Sequence, residues 1–281
     1  MFDKVLILGA GTMATGVAAL LALKGSNVTI YLRCKEKEEA TKEAVNSLIN
    51  KTKRRLQKAK LEVCEHPSIQ FITKPEHIEE KLDLVFEAVS EDTSTKIEVQ
   101  NEFRNLINEN TIWATNTSSL SVTKLASNYK YKDNFLGLHF FNPVASMELV
   151  EIIPAMSTSL DTVQSVKKLC SELNKTSVLV NDSPGFIVNR LLIPMINEAV
   201  VLLENGVASK EEIDLAMKLG AHHPMGPLAL ADLIGNDVCL SIMNSLYDST
   251  NDSKYRPSYL LKKMVYAGHL GRKTAVGFYD Y

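Results

Sequence analysis

Residues 5–32, VLILGAGTMATGVAALLALKGSNVTIYL, set a glycine turn and an alanine- and leucine-rich segment between two β-branched apolar runs. Strand, turn, helix and strand within about 30 residues open a βαβ unit. Gly9 allows the tight turn, and Gly11 lets the main chain approach a pyrophosphate. Ala14 takes the third place of the G-x-G-x-x-G spacing, where a small side chain suffices for helix–strand packing. Free N–H groups at the start of the helix, around Thr12 and Met13, suit phosphate. Gly9, Gly11, Thr12, Met13 and Ala14 are therefore expected to contact a dinucleotide. The same spacing also occurs in turns with no ligand. Its place between an apolar strand and an apolar helix argues for the nucleotide.

Further strand-like runs are IQFI, LDLVFEAV, TIWAT, FLGLHF, LVEII and SVLVN, with helical patterns between several runs, notably over 16–24, 36–60 and 95–108. This alternation predicts an α/β fold, a Rossmann-like, mostly parallel sheet covered on both faces. After NDSPG the pattern changes. FIVNRLLIPMINEAVVLLENG, SKEEIDLAMKLG, GPLALADLIGNDVCLSIMNSLYD and SYLLKKMVYAG all read as helices. Ser209 with Glu212 forms a capping box, and Pro194 should kink the first of these helices. The expected organisation is a dinucleotide-binding domain over 1–183 and an all-α domain over 184–281.

With 281 residues and 45% hydrophobic content, the chain has apolar material for two modest cores. A formal net charge of -2 argues against a general nucleic-acid or membrane-surface binder. No apolar run reaches about 18 residues, so no membrane span is expected. The N-terminus opens on a strand-like run without the basic and cleavage regions of a signal peptide. Cys34, Cys64, Cys170 and Cys239 are scattered and form no CxxC, which points to the reducing cytoplasm and to neither disulfides nor zinc. His222 and His223 lack ligand spacing and read as loop, so no metal is expected.

The stretch GLHFFNPVASMELVEII puts His139 at the end of one apolar run and Glu151 inside the next. Alone, His139 fits a hydrogen-bonded core histidine. A buried carboxylate needs a partner, however, and His139 is the available one. Adjacent strands lie about 5 Å apart, close enough for the two to meet. Imidazole exchanges protons near neutral pH, and a carboxylate on its other nitrogen fixes tautomer and orientation. The pair therefore reads as a general acid–base dyad.

ILGAGTMATG, EAVSED, NTSSLSVTKLA, GLHFFNP, LVEII, SPGFIVNRLLIPMINEA, MKLGAHHPMGPLALADLIGND and GRKTAVGFYDY occur in that order over nearly the whole chain. Together they resemble the L-3-hydroxyacyl-CoA dehydrogenase family, particularly its short bacterial 3-hydroxybutyryl-CoA dehydrogenases. The resemblance implies a helical C-terminal dimerisation domain, hence a homodimer. It also implies reversible oxidation of a short-chain (S)-3-hydroxyacyl thioester to the 3-oxoacyl thioester. The family's catalytic His and Glu fall on His139 and Glu151, its active-site Ser on Ser118 and its active-site Asn on Asn189. Acidic and lysine contacts to the cofactor fall on Glu91 and Lys96. Coenzyme A contacts fall on Ser47 and Arg54. Asn116, beside Ser118, is counted with the cofactor contacts, and Asn142, after His139, with the substrate contacts.

Chemistry agrees with these assignments. Ser118 follows an apolar run and so sits at a strand's C-terminal end, where open α/β sheets bind ligands. Its hydroxyl can polarise a substrate oxygen, and the amide of Asn189 can reach a substrate carbonyl. The plainer alternatives are a helix cap for the serines and a surface residue for Asn189. The basic run NKTKRRLQKAK is either a solvated face or a docking site for the phosphates of an acyl carrier.

The choice of nicotinamide turns on the end of the second strand. An acid there accepts the ribose 2′-hydroxyl in NAD-binding units, but the position falls on Leu32, followed by Arg33. Loss of the carboxylate and gain of a guanidinium favour NADP over NAD. Alternatively, Glu36 or Glu38 replaces the lost acid and NAD is used. Three other functional readings remain: the same chemistry on a carrier-protein thioester, a sugar-acid dehydrogenase of the lambda-crystallin type, and a non-catalytic nucleotide-binding protein.

Overall fold

The apolar runs become strands β1 (Lys4–Leu8), β2 (Asn27–Tyr31), β3 (Ile69–Ile72), β4 (Leu84–Glu87), β5 (Ile112–Thr115), β6 (Phe135–Phe140), β7 (Leu149–Pro154) and β8 (Thr176–Leu179). They belong to a computed structural model that describes residues 2–78 and 81–281. The strands form one sheet in the order β3-β2-β1-β4-β5-β6-β7-β8. Every pairing is parallel except β6 with β7. Central β4, β5 and β6 are buried at every residue, as expected of strands covered on both faces, whereas edge strand β8 is largely exposed. The helices between them are α1 (Thr12–Leu23), α2 (Glu38–Lys58), α3 (Thr93–Phe103), α4 (Val122–Ala126) and α5 (Leu160–Glu172).

The sheet order reverses at β1. Chain leaving β1 turns to β2 on one side, whereas β4 lies on the other, which opens a crevice beyond their carboxyl ends. Helix α1 begins at Thr12, so the glycine turn leads directly into it and its first turn precedes the helical pattern over 16–24. Helix α3 begins at Thr93 because Asp92 caps it, accepting a hydrogen bond from Thr95 N at 2.8 Å. Hydrogen bonds from the Ser94 hydroxyl, the Thr95 N–H and the Thr95 hydroxyl hold the pKa of the Asp92 carboxyl down to about 2.

The chain divides into two compact units, Met1–Ser183 and Pro184–Tyr281. The second contains α6 (Val188–Glu204), α7 (Lys210–Gly220), α8 (Pro227–Ile234), α9 (Asn236–Thr250) and α10 (Tyr259–Tyr266). Its core includes Ile196, Val200, Leu228, Met243, Leu246 and Leu261. The Ser209–Glu212 capping box is formed at the start of α7. Helix α6 continues through Pro194. The segment over 226–248, read from sequence as one helix, is two: Gly235, at φ +107, ends α8 and begins α9. That left-handed backbone favours glycine and breaks the helical path.

Candidate active site

His139 and Glu151 are direct partners across the antiparallel β6–β7 pair. Residues opposed in this way point to the same face. His139 Nδ1 lies 2.7 Å from Glu151 Oε2, and His139 Nε2 lies 3.2 Å from Ser118 Oγ. A carboxylate only accepts hydrogen bonds, so Nδ1 carries the proton and the lone pair of Nε2 faces the Ser118 hydroxyl. Glu151 is wholly buried and His139 nearly so, while Ser118 is partly exposed at the C-terminal end of β5. Phe141 packs on the imidazole with ring centroids 4.6 Å apart.

The Ser118 turn is held from below. Glu91 Oε1 accepts hydrogen bonds from Thr117 Oγ1 (2.8 Å), Ser118 N (2.7 Å), Ser119 N (3.0 Å) and Ser119 Oγ (3.1 Å). Lys96 is fully buried. Its ammonium donates to Glu87 Oε1 at 2.7 Å and to the Asn116 carbonyl at 3.0 Å. Glu87 Oε2 accepts from Thr115 Oγ1 at 2.6 Å. Asn116 Oδ1 accepts from Phe140 N at 3.3 Å, next to His139. Glu91, Lys96 and Asn116, expected at the cofactor, thus have intramolecular partners around the Ser118 turn.

Beyond the carboxyl ends of β1, β2 and β4 lies a cleft of about 700 Å³ lined by Gly9, Gly11, Leu32, Arg33, Ala88 and Ser90, among others. Gly9 is held at φ +123, and a Cβ there would lie 2.5 Å from Ala88 O. This glycine is required by the fold. Gly11 has an ordinary φ of -75, and a Cβ there would meet nothing within 4 Å. The open space beside Gly11 fits the close approach of a pyrophosphate. Helix α1 starts at this point with no side-chain cap and no acid in its first turn, so its first N–H groups remain available to an anion. Ala14, in the third position, is buried against the core. The residues present fit a dinucleotide.

The comparisons agree over the whole chain. The family model for the 3-hydroxyacyl-CoA dehydrogenase NAD binding domain matches residues 4–183, and the model for that family's C-terminal domain matches residues 185–281. The chain belongs to the 3-hydroxyacyl-CoA dehydrogenase family. A 3-hydroxybutyryl-CoA dehydrogenase of Clostridioides difficile is 48% identical over 99% of both chains. One from Bradyrhizobium diazoefficiens is 42% identical over 100% of this chain and 96% of its own. The crystal structure of (S)-3-hydroxybutyryl-CoA dehydrogenase from Ralstonia eutropha matches with a TM-score of 0.91 and 43% identity, covering 100% of this chain and 99% of that one. This chain is thus an oxidoreductase, and its first domain is the NAD-binding one of its family.

This member of the 3-hydroxyacyl-CoA dehydrogenase family has a second cleft, of about 430 Å³, between α2 and the loop joining β6 to β7. Lys51, Arg54, Arg55 and Lys58 line it, together with Pro143 and Ser146. Lys53 of the same run pairs instead with Glu65. Ser47 is exposed on α2 and does not line this cleft; Asn142 is exposed after β6 and lines neither cleft. The loop is tied down by Lys175, which donates to Val144 O at 2.6 Å and Met147 O at 2.7 Å. Burial, with a lesser effect from Arg55, pushes Lys175 below the usual lysine range. Asn189 is the second residue of α6 in the second unit. Among the described residues no cluster of three metal-ligating side chains occurs, and no helix is long and apolar enough to cross a membrane.

Glu87, not among the residues expected at the site, carries the same sequence signal as Glu151. It is a carboxylate inside an apolar run, LVFEAV, with its partner Lys96 nine positions on.

Proposed function

We propose that this enzyme interconverts (S)-3-hydroxybutyryl-CoA, or a closely similar short-chain 3-hydroxyacyl-CoA, and its 3-oxoacyl thioester. The observation that carries this reading is the Ser118–His139–Glu151 relay at the carboxyl edge of the sheet. Held at the glycine turn and the start of α1, a nicotinamide dinucleotide would supply the hydride acceptor for C3 in oxidation and the hydride donor in reduction. In oxidation, His139 Nε2 takes the C3 hydroxyl proton, Glu151 stabilises the imidazolium through Nδ1–H, and Ser118 Oγ–H donates to the oxygen as it becomes a carbonyl. The basic cleft beside α2 supports a phosphorylated carrier over a free sugar acid. The relatives' activity on 3-hydroxybutyryl-CoA supports the short acyl chain.

The cofactor reading is NADP in preference to NAD. Leu32, where an acid would accept the ribose 2′-hydroxyl, is buried in the core, and Arg33 lines the cleft directly after it.

Nicotinamide absorbance with acetoacetyl-CoA, the corresponding carrier-protein thioester and a keto-sugar acid, compared side by side, tests the substrate. The CoA thioester should give the highest kcat/KM. A higher value for either competitor overturns the reading. A kcat/KM ratio for NADPH over NADH below one removes the cofactor preference alone.

A further inference from the structure

We propose that Lys37, together with Arg33, forms a subsite for the adenosine 2′-phosphate of NADP. The inference rests on the cofactor reading above and deepens it by naming the second cation and explaining why neighbouring acids do not oppose it. Arg33, Cys34 and Lys37 line the same wall of the cleft, whereas Lys35, Glu36 and Glu38 do not. Ala40 and Ala44, one helical turn apart on α2, continue that wall with small side chains suited to a flat adenine. The position of Lys37 is fixed locally: Thr41 Oγ1 donates to the Lys37 carbonyl at 2.7 Å, joining the short turn over Lys35–Lys37 to the first turn of α2.

Four carboxylates near this wall are committed elsewhere. Glu36 accepts from the Cys34 thiol at 2.6 Å. Glu38 and Glu39 both pair with Lys42, at 2.7 and 3.0 Å. Glu102 accepts from Tyr31 Oη at 2.5 Å. Among the described residues, neither Arg33 nor Lys37 has an ion-pair partner. A forked guanidinium and a point-charge ammonium in one cleft lining, beside small apolar residues, suit a phosphate monoester attached to a nucleoside. They give no comparable reward to a ribose hydroxyl.

Calorimetric titration of the full chain with 2′,5′-ADP and with 5′-AMP reads the subsite without turnover. Wild type should bind 2′,5′-ADP at least about tenfold more tightly than 5′-AMP, and Lys37→Ala should remove about tenfold of 2′,5′-ADP affinity with 5′-AMP unchanged. Arg33→Ala should do the same, whereas Lys35→Ala should do neither. If wild type prefers 2′,5′-ADP but Lys37→Ala behaves like Lys35→Ala, the Lys37 subsite is wrong while the NADP reading stands. If wild type shows no such preference, both fall. Glu36→Gln separates the NAD alternative. Unchanged 5′-AMP binding supports the subsite, and a loss of about tenfold would identify Glu36 as the ribose acceptor and overturn it.

Discussion

At the scale of single residues, what a buried polar group faces decides the role proposed for it: Glu87 and Lys96 face each other, whereas His139 faces a partly exposed hydroxyl. His139 faces Ser118 with one nitrogen and a fully buried carboxylate with the other. His139→Gln removes the proton acceptor, so turnover should fall by about 10²–10⁴-fold with 2′,5′-ADP affinity unchanged. Retention of half the wild-type turnover where chemistry limits the rate would refute the dyad. Glu151→Gln keeps the shape but loses the charge that favours the imidazolium, so kcat should fall with little change in nucleotide binding. The two turn glycines should separate just as cleanly. Gly11→Ala puts a methyl into open space at an ordinary φ, so stability should hold within about 1 kcal/mol while nucleotide affinity drops. Gly9→Ala meets both φ +123 and Ala88 O at 2.5 Å. Backbone strain of this type alone is worth about 1–3 kcal/mol, so thermal unfolding should shift for Gly9→Ala and not for Gly11→Ala. Equal shifts would show that the open space beside Gly11 is misread.

At the scale of elements, strand positions were legible because apolar β-branched runs survive translation into structure with little ambiguity. The pairing of His139 with Glu151 was legible for the same reason: both interrupt such runs, and the runs are neighbours. Polar networks were less so. That Glu91 holds the Thr117–Ser118–Ser119 turn depends on a loop geometry that no spacing encodes. Likewise, Asp182 accepts from Val122 N and Thr123 N at the start of α4, whose N-cap is Ser121, and so joins positions about sixty apart. The Glu87–Lys96 pair tests the energetics of this layer. Both side chains are wholly buried, so Lys96→Met leaves an uncompensated carboxylate and should destabilise by about 3–5 kcal/mol. The double variant Glu87→Gln/Lys96→Met removes both charges and should recover part of that loss in chemical denaturation. Strictly additive losses would mean that the pair is not coupled.

At the scale of the whole molecule, the question is what the apolar surface of the second unit meets. The apolar run LALADLIGNDVCLSIM, over 228–243, is the first candidate. In the structure, Leu228, Ala231, Cys239, Leu240, Ile242 and Met243 from that run lie in the unit's own core. Leu233 and Val238 of that run remain exposed, and more fully exposed apolar side chains lie on the unit's other helices. Leu191 on α6 is 70% exposed, Leu215 and Leu219 on α7 are 51% and 69% exposed, and Tyr259 and Tyr266 on α10 are 66% and 79% exposed. Leu215 and Leu219 are four apart, and Tyr259 and Tyr266 seven apart, so each pair lies along one face of its helix. Exposed stripes of this kind mark interaction surfaces, and a second copy related by a two-fold axis is the commonest way to cover one. We expect a dimer of about twice the 31.2 kDa chain in sedimentation. Leu219→Lys with Tyr266→Lys should shift it toward monomer without unfolding the helices, because neither side chain belongs to the core. A wild-type protein that sediments as a clean monomer at micromolar concentration would sink the proposal, and so would a double variant as dimeric as wild type.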